Sequence, residues 1–291
     1  MPLIETLNNY PGLVLALALV FGLLVGSFLN VVIHRLPLMM QREWQSECRA
    51  LLELDNGEQT ASEPFNLAVP RSRCPHCGHR ITALENIPVF SYLALRGKCS
   101  ECQAPISIRY PLVELATGLL SALVVYQFGA SLQSALLLPL IWGLIALTMI
   151  DFDHQLLPDS ITLPLLWLGL VANAFGLFTD LHSALWGAVA GYMSLWSVYW
   201  LFKLVTGKEG MGYGDFKLLA ALGAWMGWQM LPLIIILSSL VGAVLGIGLT
   251  LIRGRDSASP MPFGPFLAIA GLVALLWGPL LVERYFQLLG Y

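Results

Sequence analysis

The sequence predicts an all-α polytopic membrane protein of about eight transmembrane helices, with one large cytoplasmic loop domain between the first and the second. Three observations carry this reading. Of 291 residues, 57% are hydrophobic and only 11% are charged, against about 25% charged in ordinary soluble domains. Eight apolar runs each approach the ~20 residues that cross a bilayer. The basic residues also gather on one side of the resulting topology. The net charge of −3 is too small to call for a nucleic-acid or an acidic partner, and no nucleic acid is expected.

The runs are 12–33, 111–129, 132–150, 160–178, 183–202, 215–230, 231–252 and 263–282. The first is expected to be a retained span, because Met1 to Pro11 holds no Lys or Arg and includes Glu5, so no basic segment precedes it. The sixth is the weakest: it is short, contains Gly223 and Gly227, and is expected to be tilted or partly re-entrant. With the N-terminus outside, the inside segments are 34–110, 151–159, 203–214 and 253–262. Fourteen of the fifteen Lys and Arg residues then lie inside, among them Lys203, Lys208, Arg253, Arg255 and, just within the sixth span, Lys217; Arg284 alone is outside. The opposite orientation would reverse the positive-inside bias. The expected organisation is a first helix (1–33), a loop domain (34–110) and a seven-helix membrane domain (111–291). The nine Trp residues read mostly as interface anchors.

The loop splits in two. Residues 38–70 are polar and acidic without periodicity, notably Gln41 to Ala61, and are expected to form irregular or helical excursions. Residues 71–110 hold Cys74-Pro75-His76-Cys77-Gly78 and Cys99-Ser100-Glu101-Cys102. Two C-x2-C pairs separated by 21 residues resemble a two-knuckle zinc ribbon, with a gap one residue beyond the usual window of about 15–20. Two intervening residues let both thiolates of a pair reach one tetrahedral ion. A loop in a reducing cytosol also disfavours disulfides. Cys74, Cys77, Cys99 and Cys102 are therefore expected to hold a structural Zn2+, whose closed four-thiolate shell leaves no position for substrate. His76 and His79 fall outside that shell, and Cys48 is read as a bystander. No internal repeat is visible.

The residues that point to chemistry are acidic. In Gly210-Met211-Gly212-Tyr213-Gly214-Asp215-Phe216-Lys217 a carboxylate sits among glycines at the mouth of an apolar run, and Asp151 ends another in Met149-Ile150-Asp151-Phe152-Asp153-His154. An ionisable group at membrane depth is a functional-site hypothesis by default. The topology places both acids at the cytoplasmic edge. Two facing carboxylates cannot both ionise easily, so one keeps a proton. That mixed state suits amide hydrolysis, with one acid activating water and the other donating to the carbonyl oxygen. On spacing alone, Asp215 also reads as a helix N-terminal charge, and Asp153 as a solvated acid or a substitute for Asp151. Asp159 reads as the N-cap of the fourth span. Glu114 is expected to pair structurally with Arg109. Lys217 is either a snorkelling anchor or a group that tunes the pair.

Longer motifs extend this. Gly22–Arg35 (GLLVGSFLNVVIHR), Arg73–Cys77 with Cys99–Cys102, Glu85-Asn86-Ile87-Pro88, Ser107–Glu114 (SIRYPLVE), Ile150–Asp159 (IDFDHQLLPD), Gly210–Ala220 and Pro262–Pro265 (PFGP) span nearly the whole chain. Together they resemble the type IV prepilin peptidases, the bifunctional leader peptidases and N-methyltransferases of type IV pilus and type II secretion systems. The resemblance implies that Asp151 and Asp215 are the catalytic pair, and that Cys74, Cys77, Cys99 and Cys102 bind zinc. It also implies prepilin and pseudopilin substrates in the bacterial inner membrane, cut after the glycine that ends a short basic leader. The new N-terminus would then be methylated with S-adenosylmethionine. No glycine-rich nucleotide fingerprint occurs in 34–110, so no residue is assigned to that methyl donor. Two alternatives stand beside this one: a presenilin-like intramembrane aspartyl protease without methyltransferase activity, and a proton-coupled transporter. The first would cut inside the membrane, and the second needs carboxylates near the midplane.

Overall fold

A computed structural model describes residues 9–52, 64–253 and 262–288. Its helices are α1 (Pro11–Leu51), the short α2 (Phe90–Ala94), α3 (Arg109–Phe128), α4 (Leu132–His154), α5 (Asp159–Ala174), α6 (Leu181–Thr206), α7 (Tyr213–Met226), α8 (Leu231–Arg253) and α9 (Gly264–Leu288). Among the described residues the only strand-like pairing is two isolated bridges, so the fold is all-helical. The segment before the first span with Glu5, residues 53–61 of the acidic stretch, and residues 254–261 of the inside segment, with Arg255, lie outside the described residues.

All eight apolar runs form helices, but six are long and apolar enough to cross a membrane: Pro11–Leu51, Arg109–Phe128, Leu132–His154, Leu181–Thr206, Trp228–Gly248 and Gly264–Leu288. Eight full crossings is therefore more than the helix lengths support. Helix α5 has 16 residues and α7 has 14, about 24 and 21 Å at 1.5 Å per residue, short of a hydrocarbon core of about 30 Å.

By packing, the chain forms two compact units, Met1–Ala130 and Ser131–Tyr291. In the first, α1 runs for 41 residues without a break. It continues well past residue 33, so the polar stretch after the first span begins as helix. Its buried residues Ala18, Gly22, Gly26, Leu29 and Ile33 form one helical stripe. That stripe faces Glu114, Thr117, Gly118 and Ser121 of α3. A methyl group at Gly22 would lie 2.8 Å from the Gly118 Cα, and one at Gly26 would lie 2.7 Å from the Glu114 Cα. Small residues thus let the two backbones meet, the usual device where lipid removes the hydrophobic drive between helices. At the polar end, buried Arg35 donates to the carbonyls of Asn66 and Pro70 at 3.0 and 2.6 Å and pins the chain arriving from the loop.

In the second unit α7 is the centre. Every residue from Leu218 to Trp225 is buried, as are Asp215 and Phe216. A helix enclosed by protein need not match the bilayer thickness. Helix α6 lies against it through facing glycines: a methyl group at Gly187 would collide with the Gly223 carbonyl oxygen, one at Gly223 with the Gly187 carbonyl oxygen, and one at Gly191 would lie 2.7 Å from the Leu219 oxygen. The end of α7 is closed by Asn173 of α5, whose Nδ2 donates to the carbonyls of Ala224 and Trp225 at 2.8 and 3.0 Å. Those are carbonyls a helix end leaves unpaired. Trp225 departs from the interface-anchor expectation: it is fully buried, and its indole N–H donates to the Leu165 carbonyl at 2.9 Å. Substituting Gly223 by valine should push α6 and α7 apart. The expected result is a lower Tm in detergent, corresponding to about 1–3 kcal/mol of overpacking strain; an unchanged Tm would mean the contact is dispensable.

Candidate functional site

Asp151 lies in the last turn of α4. The helix stops because Gln155 takes a left-handed conformation (φ 54°), with its N–H returned to the Asp151 carbonyl at 2.9 Å. The chain then reverses through Leu157 and Pro158 into α5. Asp215 lies in the first turn of α7, where a helix N-terminus favours negative charge. Gly214 beside it is needed for space, since a methyl group there would meet the Leu157 Cβ at 2.7 Å.

The two acids line one cavity of about 260 Å³, together with Gln155, Glu209, Met211 and Phe263. Both are buried, 5% and 6% exposed, and their charges interact. Asp151 Oδ2 accepts the Gly264 N–H at 3.0 Å, from the first residue of α9. Asp215 Oδ1 is buried with no hydrogen-bond partner among the described residues. Asp153 is exposed and does not line the cavity. Asp159 is the first residue of α5 rather than its cap, and its carboxylate takes the Lys217 ammonium at 2.7 and 2.8 Å. Lys217 is thereby tied to the α5 start. At the cavity rim, Lys203 binds Glu209 at 2.8 Å and holds its carboxyl below the ordinary carboxylate range.

Sequence reasoning reached Gly264 only as part of a motif and gave it no role. A bond spanning 113 positions leaves no local signature. The Gly-Pro at the start of an apolar run was the available hint, marking a helix start with free N–H donors.

The four cysteines come together in the first unit. Their Sγ atoms all lie within 4.8 Å of one another, with Cys74 to Cys102 at 3.8 Å and Cys77 to Cys99 at 3.9 Å. A tetrahedron with metal–sulfur bonds of about 2.3 Å has edges of about 3.8 Å, so this set could hold a metal such as zinc. The two knuckles repeat one backbone pattern that the sequence reading did not register. The Cys74 N–H bonds the His79 carbonyl and the Cys99 N–H the Ala104 carbonyl, both at 2.9 Å. The Gly78 N–H returns to Cys74 and the Gln103 N–H to Cys99. Gly78 (φ 74°) and Gln103 (φ 57°) hold the same left-handed position. Arg73–Arg80 and Lys98–Pro105 form equivalent bridges.

The Cys77 and His76 N–H groups hold the Cys74 thiol down at about 7. The His79 N–H lowers Cys77 too, but burial and the neighbouring thiols Cys102, Cys74 and Cys99 push it up to about 12. A cation supplies what four crowded thiolates need. Glu85 joins the knuckles: it accepts from Ser100 and from the Thr82 N–H, and lies 3.2 Å from His79 Nε2. The Ser100 hydroxyl foremost, then Thr82 and His79, hold its carboxyl down at about 2.

Comparison with known proteins assigns the two halves. Residues 20–128 match the Bacterial Peptidase A24 N-terminal domain, and residues 138–247 match the Type IV leader peptidase family. The chain is 65% identical to a prepilin leader peptidase/N-methyltransferase of Stutzerimonas stutzeri, over 98% of each chain. It is 60% identical to one of Pseudomonas aeruginosa over the full length of both, and 59% identical to one of Aeromonas hydrophila over 97% of each. No solved structure matches.

Proposed function

The chain belongs to the type IV leader peptidase family and carries out its two reactions, cleavage of prepilin leaders and N-methylation; we propose that the cleavage runs on Asp151 and Asp215. The observation that carries the assignment is the shared cavity, into which two otherwise distant helix ends each place a buried carboxylate. In this reading the two acids divide the work. The Gly264 N–H, at a helix N-terminus, favours a negative charge on Asp151, which takes a proton from the attacking water. Asp215 keeps the proton that two facing carboxylates cannot both lose, and donates it to the scissile carbonyl oxygen. The cut falls after the leader's terminal glycine, at the cytoplasmic edge of the bacterial inner membrane, with the N-terminus outside; the one-sided Lys and Arg distribution supports this placement. Prepilins and pseudopilins are the substrates.

Cys74, Cys77, Cys99 and Cys102 hold zinc as a structural ion. It would join the knuckles of the loop module 34–110 and leave chemistry to the rest of the chain. S-adenosylmethionine supplies the methyl group. Purified protein should carry about one zinc per chain, and Cys74→Ser with Cys99→Ser should lower this to near zero by elemental analysis. Full zinc retention would remove the site.

The reading as a whole is tested by mass spectrometry of a model prepilin incubated with the purified protein, with and without S-adenosylmethionine. The expected products are a free leader and a mature chain heavier by one methyl group only when the donor is present. Cleavage inside the apolar segment would favour the intramembrane protease instead.

A further inference from the structure

Among the described residues three carboxylates are buried: Asp151, Asp215 and Glu114. The first two line the cavity; the third lies in the other compact unit, with the cysteine knuckles. Glu114 is 8% exposed, and it does not pair with Arg109 as the sequence suggested. No cationic side chain among the described residues meets it. Its Oε2 accepts the Val89 N–H at 2.8 Å. The Ser27 hydroxyl of α1, beside the Gly26 that packs on Glu114, donates to Asn86 Oδ1 at 3.4 Å and ties α1 to the same 85–89 turn.

Two features set Glu114 apart from an ordinary structural acid. A buried carboxylate without a counter-cation is costly, the more so on a membrane helix. The turn that presents the Val89 N–H is itself strained. Val89 has φ 62° and ψ −47°, and the Phe90 N–H bonds the Pro88 carbonyl two residues back at 2.6 Å. That is the rarer, positive-φ γ-turn, on a β-branched residue that tolerates it poorly. Strain of this kind persists where the surroundings enforce it, often at sites of function.

The chain's second reaction needs such a group. The α-amine of a freshly cut chain is mostly protonated at neutral pH, with a pKa of about 8, and its nitrogen has no free electron pair until one proton leaves. We propose that Glu114 is the catalytic base of methyl transfer: its carboxylate receives the α-ammonium of the mature N-terminus and takes that proton. The freed lone pair then forms the N–C bond to the donor's methyl carbon. The S–C bond breaks with its electron pair left on sulfur, and Glu114 returns the proton to solvent. This rests on the reading of the chain as carrying both reactions.

The test uses full-length protein in detergent and a synthetic prepilin, scoring cleavage and methylation in the same sample. Glu114→Gln should cleave within about twofold of the parent and lose methylation by at least about 100-fold, the low end for a general base. Glu114→Asp, which keeps the charge one methylene back, should cleave normally and methylate at an intermediate rate. An independent readout is binding of a leader-free N-terminal peptide. The parent should prefer the free amine over the N-acetylated form by about tenfold. That preference should vanish in Glu114→Gln and survive in Asp215→Asn. Parental methylation by Glu114→Gln, or cleavage and methylation falling together in both Glu114 variants, would overturn the proposal. Absence of methylation by the parent would instead overturn the bifunctional reading.

Discussion

Asp215→Asn should leave a folded, membrane-inserted protein whose cleavage of a prepilin is lower by at least about 10³-fold, within the range lost with a general acid or base. Asp151→Asn should do the same. The substitution keeps shape and volume and introduces no new buried charge. The Gly264 N–H can still find the side-chain amide oxygen at position 151, so Tm should not fall. The double variant should be no worse than either single one, because residues that act as a unit lose their effect together. Methylation of a peptide supplied already cut should persist in all three, since Glu114 lies in the other compact unit. The measurement is product mass against time, with Tm on the same samples. Full cleavage by either single variant would dismantle the pair.

The expectations that succeeded were those with a local signature. Two C-x2-C pairs announce a four-thiolate cluster because the chemistry fixes the spacing, and the Sγ atoms do come together. Apolar runs announce helices because an unpaired backbone is intolerable in lipid, and all eight runs are helical. What escaped was set by partners far along the chain. Run length read as about eight crossings, yet Gly187, Gly191 and Gly223 let α6 press directly on α7, and a helix so enclosed can be short. Asn173 closing α7, and Trp225 buried with its N–H on Leu165, follow from that same enclosure. Asp159 looks like a cap in sequence because Lys217, its actual partner, is 58 residues away. The repeated knuckle was missed because its common element is a backbone hydrogen-bond pattern: Gly78 and Gln103 share a conformation and little chemistry.

Gly264→Ala offers the sharpest separation of activity from stability. The added Cβ would lie 2.6 Å from Asp151 Oδ2 and 3.2 Å from its Cγ, with Leu157 Cδ2 at 3.1 Å. No real Cβ tolerates the closest of these contacts, so something moves. What yields is the end of the Asp151 side chain, which turns more cheaply than α4 or α9 can shift. The expected change in Tm is therefore small. The catalytic change is not, because turning the carboxylate moves its reacting oxygen by about an ångström and breaks the N–H bond that favours its charge. Misplacement on that scale costs on the order of 10²-fold in rate. The loss should fall on kcat with KM little altered, since the substrate's contacts along the cavity are untouched. Were KM to rise while kcat held, Gly264 would be shaping the substrate groove. The amide of α9 would then have no part in holding the base.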